Sequence, residues 1–430
     1  MCHRIVLGCY RQWNGRNLAL CGVEPLLRRR MLSARVLIAS DYNAKERAHF
    51  ALSYDFCRII AECDDAELIA PPVHQYLKQY FGRVLPPNDD LNVQRDFNRL
   101  VNGVRKGLGM KNAPTITPVD LGSKEYELFA YIAWSPNALV ELSRIRHWRE
   151  RSAKAVLFMH ELWVSTLEEN RAYLRMLDQF DHVFLLHRAA VPKLQRYTDT
   201  PCSFLPTGTD CLAATPYPKP PERVIDVYSI GNRPAGLHRQ LVEMAEKQEI
   251  FYLYDSLASS DSRMKDWREH RLLVMNNIKR SRYFIAFSPA SIATSKARQV
   301  QDEQVVPSRL FEGAAGGAVM IGEPPQCPEF NELFDWPDAV VRVPAKPEDA
   351  RAVLKELDSQ SVRMERIRHV NVIQSLRRHD WSYRWEQMIN TIGVEALPKL
   401  QQRKSRLNDA ANTAEAALEM KVRPTAVNAG

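Results

Sequence analysis

The sequence predicts an α/β protein of two lobes, each built on a parallel sheet, and three observations carry that reading. Short apolar runs of strand length alternate with stretches whose apolar residues recur at helical spacing, the order that builds a parallel sheet through crossover helices. The alternation is interrupted once, at Thr215-Pro-Tyr-Pro-Lys-Pro-Pro221, where four prolines in seven residues exclude helix and strand and favour a semi-rigid linker. The same rhythm then begins again at Ile225. A chain of 430 residues, 45% of them hydrophobic, has enough apolar surface to bury a core in each half.

Residues 1–30 match no element of this pattern. They carry Arg4, Arg11, Arg16, Arg28, Arg29 and Arg30 against Glu24 alone, so 6 − 1 = +5 of the formal +8 lies there. They read as a leader outside the fold: either Met31 is the start or the leader is a disposable arm. An Arg-rich, acid-poor leader is also the composition of a transit peptide, but its few hydroxylated residues speak against that. The first lobe is expected over 31–214. It opens with a buried strand at 36–39, a turn at 42–43 and a helix at 47–60, in which Phe50, Leu52, Tyr54, Phe56, Ile59 and Ile60 recur at helical spacing. Strands follow at 67–70, 129–134, 155–159 and 181–186; between the first two, 86–121 holds polar loops and a helix near 97–104. His160 and Glu161 come directly after the strand at 155–159. Their side chains should therefore emerge at the carboxyl edge of the sheet, where such folds bind ligands. Either residue could orient or deprotonate an acceptor hydroxyl there. The plainer alternative is that Glu161 starts the next helix and its neighbours are packed.

After the linker at 215–221, the second lobe is expected over 222–375. Strands read at 225–230, 251–254, 283–287 and 340–343, with helices to about 247 and over 267–280 and 347–357. The loop Gly231-Asn-Arg-Pro-Ala-Gly-Leu-His238 lacks the GxGxxG spacing of a dinucleotide binder. Residues 361–393 read as helical. Trp381, Tyr383 and Trp385 are too large and too many to sit wholly exposed, so the 376–400 helices should pack on something. From 401 to 430 the chain is polar and Ala-rich, which predicts a mobile tail.

One stretch of the second lobe is more specific. In Pro307-Ser-Arg-Leu-Phe-Glu-Gly-Ala-Ala-Gly-Gly-Ala-Val-Met-Ile-Gly-Glu323, proline and serine suit a helix start. Gly316 and Gly317 then supply a left-handed exit, and Ala318 to Ile321 forms a buried strand. Glu312 falls in the helix's first turn or two, at the carboxyl edge of the sheet, where the helix dipole favours a carboxylate. The alternative is an Arg309–Glu312 surface pair at i,i+3.

Arg309-Leu-Phe-Glu312-Gly-Ala-Ala-Gly316-Gly-Ala-Val-Met-Ile resembles the signature of GT-B glycosyltransferases, in the retaining Glu-x7-Glu group and its spore-maturation-type branch. Leu205-Pro-Thr-Gly-Thr-Asp210 resembles the turn that closes the first half of such enzymes. The resemblance implies two Rossmann-like lobes, with a C-terminal helix crossing back to the first lobe. It implies that Glu312 holds the ribose of a nucleotide-sugar donor, with Arg309 and Gly313 beside it, and that Arg233 faces the donor diphosphate. Lys279 is a candidate second phosphate cation. Where the family's first glutamate stands, eight residues before Glu312, this chain has Gln304, with Glu303 next to it.

The implied activity is transfer of a hexosyl unit from a nucleotide-sugar to a hydroxyl of a glycan, glycolipid or small molecule, with retention of configuration. The donor is a co-substrate and no resident cofactor is expected. No metal is expected either, since the chain lacks an Asp-x-Asp motif and fixed cations can face the diphosphate. Two rival readings stay open: a nucleotide-sugar 2-epimerase of the same architecture, and a catalytically silent carbohydrate-binding protein, suggested by Gln304. Bulk properties exclude more than they assign. Outside the leader the charge is only mildly basic and no RNA-binding motif appears, which argues against a nucleic-acid partner. Loose peripheral contact with anionic lipid is compatible. The eight cysteines show no CxxC pair or zinc spacing, and no run reaches the length of a spanning helix, so a cytoplasmic setting is expected.

Overall fold

The computed structural model describes residues 34–45, 47–75, 91–108, 110–256, 264, 266–288, 292 and 303–422. The leader expected at 1–30 lies outside them. The first strand, β1 (Val36–Ser40), is buried along its whole length because it pairs on both sides, with β2 (Ala66–Ile69) and β3 (Tyr126–Ala133). A strand covered on both faces must be apolar throughout rather than alternating, which is what Val-Leu-Ile-Ala provides. The sheet continues through β4 (Ser152–Met159), β5 (His182–Leu185) and β6 (Cys202–Phe204) in the order β2-β1-β3-β4-β5-β6, all parallel. Two helices belong to the crossovers: α1 (Ala51–Cys63) joins β1 to β2, and α2 (Leu91–Gly107) lies between β2 and β3.

The second lobe repeats the scheme after the linker. Its strands are β7 (Ile225–Ser229), β8 (Tyr252–Tyr254), β9 (Ser281–Ile285), β10 (Val319–Gly322) and β11 (Val341–Arg342), parallel and ordered β8-β7-β9-β10-β11. Helices α3 (Ala235–Glu246), α4 (Trp267–Lys279) and α5 (Ser308–Ala315) connect them. The expected two-lobed α/β architecture is therefore what the chain forms. In each sheet the strand order reverses beside the lobe's first strand, between β1 and β3 and between β7 and β9. Ligands of open parallel sheets bind at the carboxyl ends of such strands.

Helix α5 has the geometry its residues imply. Pro307 is extended just before it, and Gly317 adopts φ +67°, the left-handed exit at which a side chain would be strained. Gly313 lets the helix lie on the sheet, since a Cβ there would sit 2.7 Å from Phe284 and 2.8 Å from Met320.

The C-terminal half of the second lobe is helical: α6 (Ala350–Ser359), α7 (Ser361–Arg378), α8 (Trp381–Thr391) and α9 (Pro398–Val422). Helix α8 crosses back as the resemblance implies. Trp381 stacks on Phe56 of α1 with centroids 4.4 Å apart, and both Trp381 and Trp385 are fully buried in the first lobe's core. The mobile tail expected from 401 onward is corrected: to Val422 it is helix α9, with Leu400, Leu407, Ala411 and Ala414 buried. Two alanines are too small to register as an apolar face in the sequence, yet they let the helix lie close against α7 and the turn Cys211–Ala214.

The remaining member of that seam is a charge. Arg403, 2% exposed, donates to Asp380 at 2.8 Å, Asp210 at 2.7 Å and Glu62 at 2.8 Å. Asp210 closes the predicted turn before the linker and caps Cys211–Ala214, and Asp380 caps α8. One guanidinium thus fixes the start of the crossing helix, the end of the first lobe and α1. Removing it leaves buried carboxylates uncompensated. Arg403→Ala should lower unfolding free energy in urea by about 3–5 kcal/mol, and a change below 1 kcal/mol would show the cluster to be a solvated surface network.

Candidate functional site

The second lobe's reversal point brings two arginines to one loop, Arg233 on it and Arg309 from α5 against it. Beyond β7, the Gly231 N–H donates to both oxygens of Asp255 at 3.1 Å. Arg233 pairs with the same carboxylate at 2.5 Å and lies 5.3 Å from the Tyr254 ring centre. From the first turn of α5, Arg309 donates to the carbonyl of Asn232 at 2.7 Å. Two residues that are 76 apart in sequence therefore meet at the carboxyl edge of β7, with Asp255 fixing one of them. Sequence spacing gave no sign of Asp255.

Glu312 does not form the surface pair with Arg309. The two side chains leave α5 in different directions: Arg309 goes to the loop, and Glu312 is buried at the junction of the lobes. There Arg271 of α4 donates to Glu312 Oε1 at 2.5 Å and to Asp55 of α1 at 2.6 Å. The guanidinium is buried, and its two carboxylate neighbours outweigh the burial penalty and hold it charged. Neither Arg271 nor Asp55 was singled out from the sequence, although both stand on apolar stripes, Arg271 with Trp267, Val274, Met275 and Ile278, Asp55 with Leu52, Phe56 and Ile59.

Several expected site residues are placed elsewhere. Lys279 ends α4, at the edge where β9 begins, and donates to the Ala213 carbonyl at 2.9 Å. A helix antiparallel to its strands puts its C-terminus at their amino edge, so Lys279 cannot face a diphosphate held at the carboxyl edge. Gly313 serves the packing of α5 on the sheet rather than a ligand. His160 is a core residue: it is fully buried, stacked 5.0 Å from Trp134, with Phe158 and Trp381 edge-on. Neither of its ring nitrogens has a hydrogen-bond partner among the described residues, and burial pushes its pKa down to about 3. Glu161 is half-buried at the edge of β4, its N–H on the Trp134 carbonyl at 2.6 Å.

A cavity of about 710 Å³ lies between the lobes, within the range of small-ligand sites. Its first-lobe wall includes His187, Arg188 and Thr207; the second lobe contributes Glu303, Gln304 and Phe311. Gln304 accepts from the Gln326 N–H at 2.5 Å. Glu303 reaches across the cleft and accepts from the N–H groups of Val164 at 2.5 Å and Ser165 at 2.8 Å. His160 does not reach this cavity's wall; His187, one strand further along the edge, does. Burial pushes the His187 pKa down to about 4, against the pull of Glu303, and its Nδ1 has no hydrogen-bond partner among the described residues. At the first lobe's own reversal point, Asp41 follows β1 with Oδ1 unpartnered among the described residues, and burial raises its pKa to about 6. Among the described residues no cluster of three His, Cys, Asp or Glu is arranged to hold a metal.

Residues 233–390 match a family model described as glycosyl transferase-like. Similar solved structures include an alpha-glucosyltransferase in complex with UDP-glucose and DNA containing an abasic site, 10% identical, over 84% of this chain and 99% of that one, TM-score 0.43. Anabaena HepE in complex with UDP-glucose is 12% identical over 83% and 99%, TM-score 0.46. TarM is 7% identical over 61% and 54%, TM-score 0.39. No curated protein matches the chain.

The placement of His160 has a measurable sign. Its folded pKa of about 3 lies below the unfolded value of 6.5, so the stability it permits is complete above pH 6.5 and is lost as pH falls toward 3. Between pH 6.5 and 5 the loss is roughly 2 kcal/mol, at 1.36 kcal/mol per pH unit. His160→Phe should flatten that slope in urea titrations at several pH values and leave turnover intact. Unchanged slope with abolished turnover would return His160 to the site.

Proposed function

We propose that this glycosyltransferase moves a hexosyl unit from a nucleoside-diphosphate sugar, held by the second lobe, to an acceptor hydroxyl in the interlobe cavity. The observation that carries the reading is the meeting of α5, with Glu312, and the Arg233 loop at the β7 edge, inside the stretch that matches the glycosyltransferase-like family. UDP-glucose is the first donor to try, because two of the similar structures hold it.

In this reading Glu312 keeps Oε1 on Arg271 and offers its other oxygen to the ribose. Arg233 and Arg309 retain N–H donors beyond those used by Asp255 and Asn232, and these meet the diphosphate. Negative charge grows on the leaving phosphate as the glycosidic bond breaks, so fixed guanidinium groups act more strongly on the transition state than on the bound donor. Asp255 prevents Arg233 from having to be ordered at that moment. On the acceptor side, His187 is neutral at physiological pH and presents a nitrogen that can orient the attacking hydroxyl. Retention of configuration rests on the resemblance alone. The family match does not favour the epimerase, and measured sugar transfer would exclude the silent binding protein.

The test separates Glu312 as a ligand from Glu312 as a structural ion. Glu312→Ala removes charge-assisted bonds worth about 1.5–3 kcal/mol each, so the Kd for UDP-glucose should rise on the order of 10- to 100-fold. Asp55→Asn, at the other end of the same trio, should lower the melting temperature and leave that Kd within about twofold. Equal effects of the two substitutions on Kd would make the trio purely structural.

The two arginines also bear on metal dependence. Activity should persist in EDTA, since guanidinium groups stand where a divalent ion would otherwise neutralise the diphosphate. Complete loss restored by manganese would show that the phosphates are held by a metal instead.

A further inference from the structure

Helix α2 presents an apolar stripe that no part of the described fold covers. Val93, Leu100 and Val104 on the helix, then Leu108 and Met110 just beyond it, are 48%, 65%, 57%, 69% and 49% exposed. At about 100° per residue, Val93, Leu100 and Val104 fall within an arc of roughly 40°, and the half-buried Phe97 widens the same stripe. Single exposed apolar residues are ordinary, but three on one helix stripe with two more just beyond its end are a surface held for something. The opposite side of the helix is tied down. Asn102 Oδ1 accepts from the Ala113 N–H at 2.7 Å, Arg105 donates to the Lys111 carbonyl at 2.7 Å, and the Asn112 N–H donates to the Tyr173 hydroxyl at 3.1 Å.

Charge indicates the occupant. Residues 91–111 carry five Lys or Arg and one Asp, 5 − 1 = +4 in 21 residues. Two copies of α2 laid face to face would bring +4 against +4, whereas a negatively charged lipid surface complements both the stripe and its flanks. The base of the excursion is fixed at the carboxyl edge of the first-lobe sheet. Val73 pairs with Ile116, the His74 N–H donates to the Thr115 carbonyl at 2.7 Å, and Lys45, from the helical turn after β1, donates to Thr115 Oγ1 at 3.3 Å. That is the edge bordering the interlobe cavity, whose first-lobe wall follows β5 and β6.

We propose that α2 docks the protein on an anionic membrane surface, lying in the interfacial plane with Val93, Leu100, Val104 and Leu108 among the acyl chains and basic residues at the headgroups. Among the described residues no helix is long and apolar enough to cross a membrane, so the contact is peripheral. The proposal needs no transferase activity, and its failure would leave the donor-site reading untouched.

The full-length protein is sedimented with vesicles of phosphatidylcholine alone and of phosphatidylcholine mixed with phosphatidylglycerol. Binding to the mixed vesicles should be tenfold tighter or more, on the order of a few basic contacts, and should weaken as salt is raised. Leu100→Glu with Leu108→Glu should reduce that binding at least about tenfold, without changing the melting curve, because both side chains are already in water. Arg99→Glu with Lys111→Glu should remove the preference for anionic lipid. Binding carried by the Arg-rich leader would survive Leu100→Glu with Leu108→Glu and would overturn the proposal. So would absence of binding to mixed vesicles, or self-association of the wild type that Leu100→Glu with Leu108→Glu abolishes.

Discussion

Arg271 is the interaction on which the relation between the lobes rests. It leaves α4 of the second lobe and is buried between Asp55 of the first and Glu312 of the second. A buried guanidinium is tolerated only while both carboxylates are in place, since either one left alone would be an uncompensated charge at a buried interface. The same ion therefore does two things. It ties α1 to α4, and it fixes the rotamer of Glu312, the glutamate of the proposed donor site. Around it Trp267, at the start of α4, packs edge-on against Tyr42 at 5.7 Å and donates to Asn43 at 2.9 Å, so the contact between lobes is apolar at its rim and ionic at its centre.

Arg403 plays the corresponding part at the other end of the chain. It joins the first lobe's last turn, the cap of the crossing helix and α1, and so makes the C-terminal helix part of the fold. Together the two arginines hold α1 at two points, Asp55 and Glu62, seven residues apart along one face. Helix α1 is consequently the element against which the second lobe and the C-terminal helices are both registered.

What the sequence revealed follows from where its signals are strong. Buried parallel strands are unbroken apolar runs, so 36–39 and 318–321 were legible to within a residue and 155–159 to within three, and α5 was marked by proline before and glycine after. The proline cluster at 215–221 lies between the last strand of the first sheet and the first strand of the second. The missed features share one cause. Asp55, Arg271 and Arg403 are charges on otherwise apolar helix faces, and their partners lie up to 341 residues away, where periodicity carries no information. Helix α9 was hidden because its seam consists of two leucines, two alanines and an arginine. His160 and His187 both follow buried strands, and only the packing of Trp134 and Trp381 decides which of them is sealed in the core and which lines the cavity.

The central claim is that a nucleotide-sugar binds where α5 meets the Arg233 loop. Amide hydrogen exchange with and without saturating UDP-glucose tests it directly, because a bound donor protects backbone it rests on and raises the cost of local opening there. The account predicts slowed exchange in 231–236 and 308–313, with α2 unchanged. Protection confined to other segments, or none at saturating donor, would contradict it.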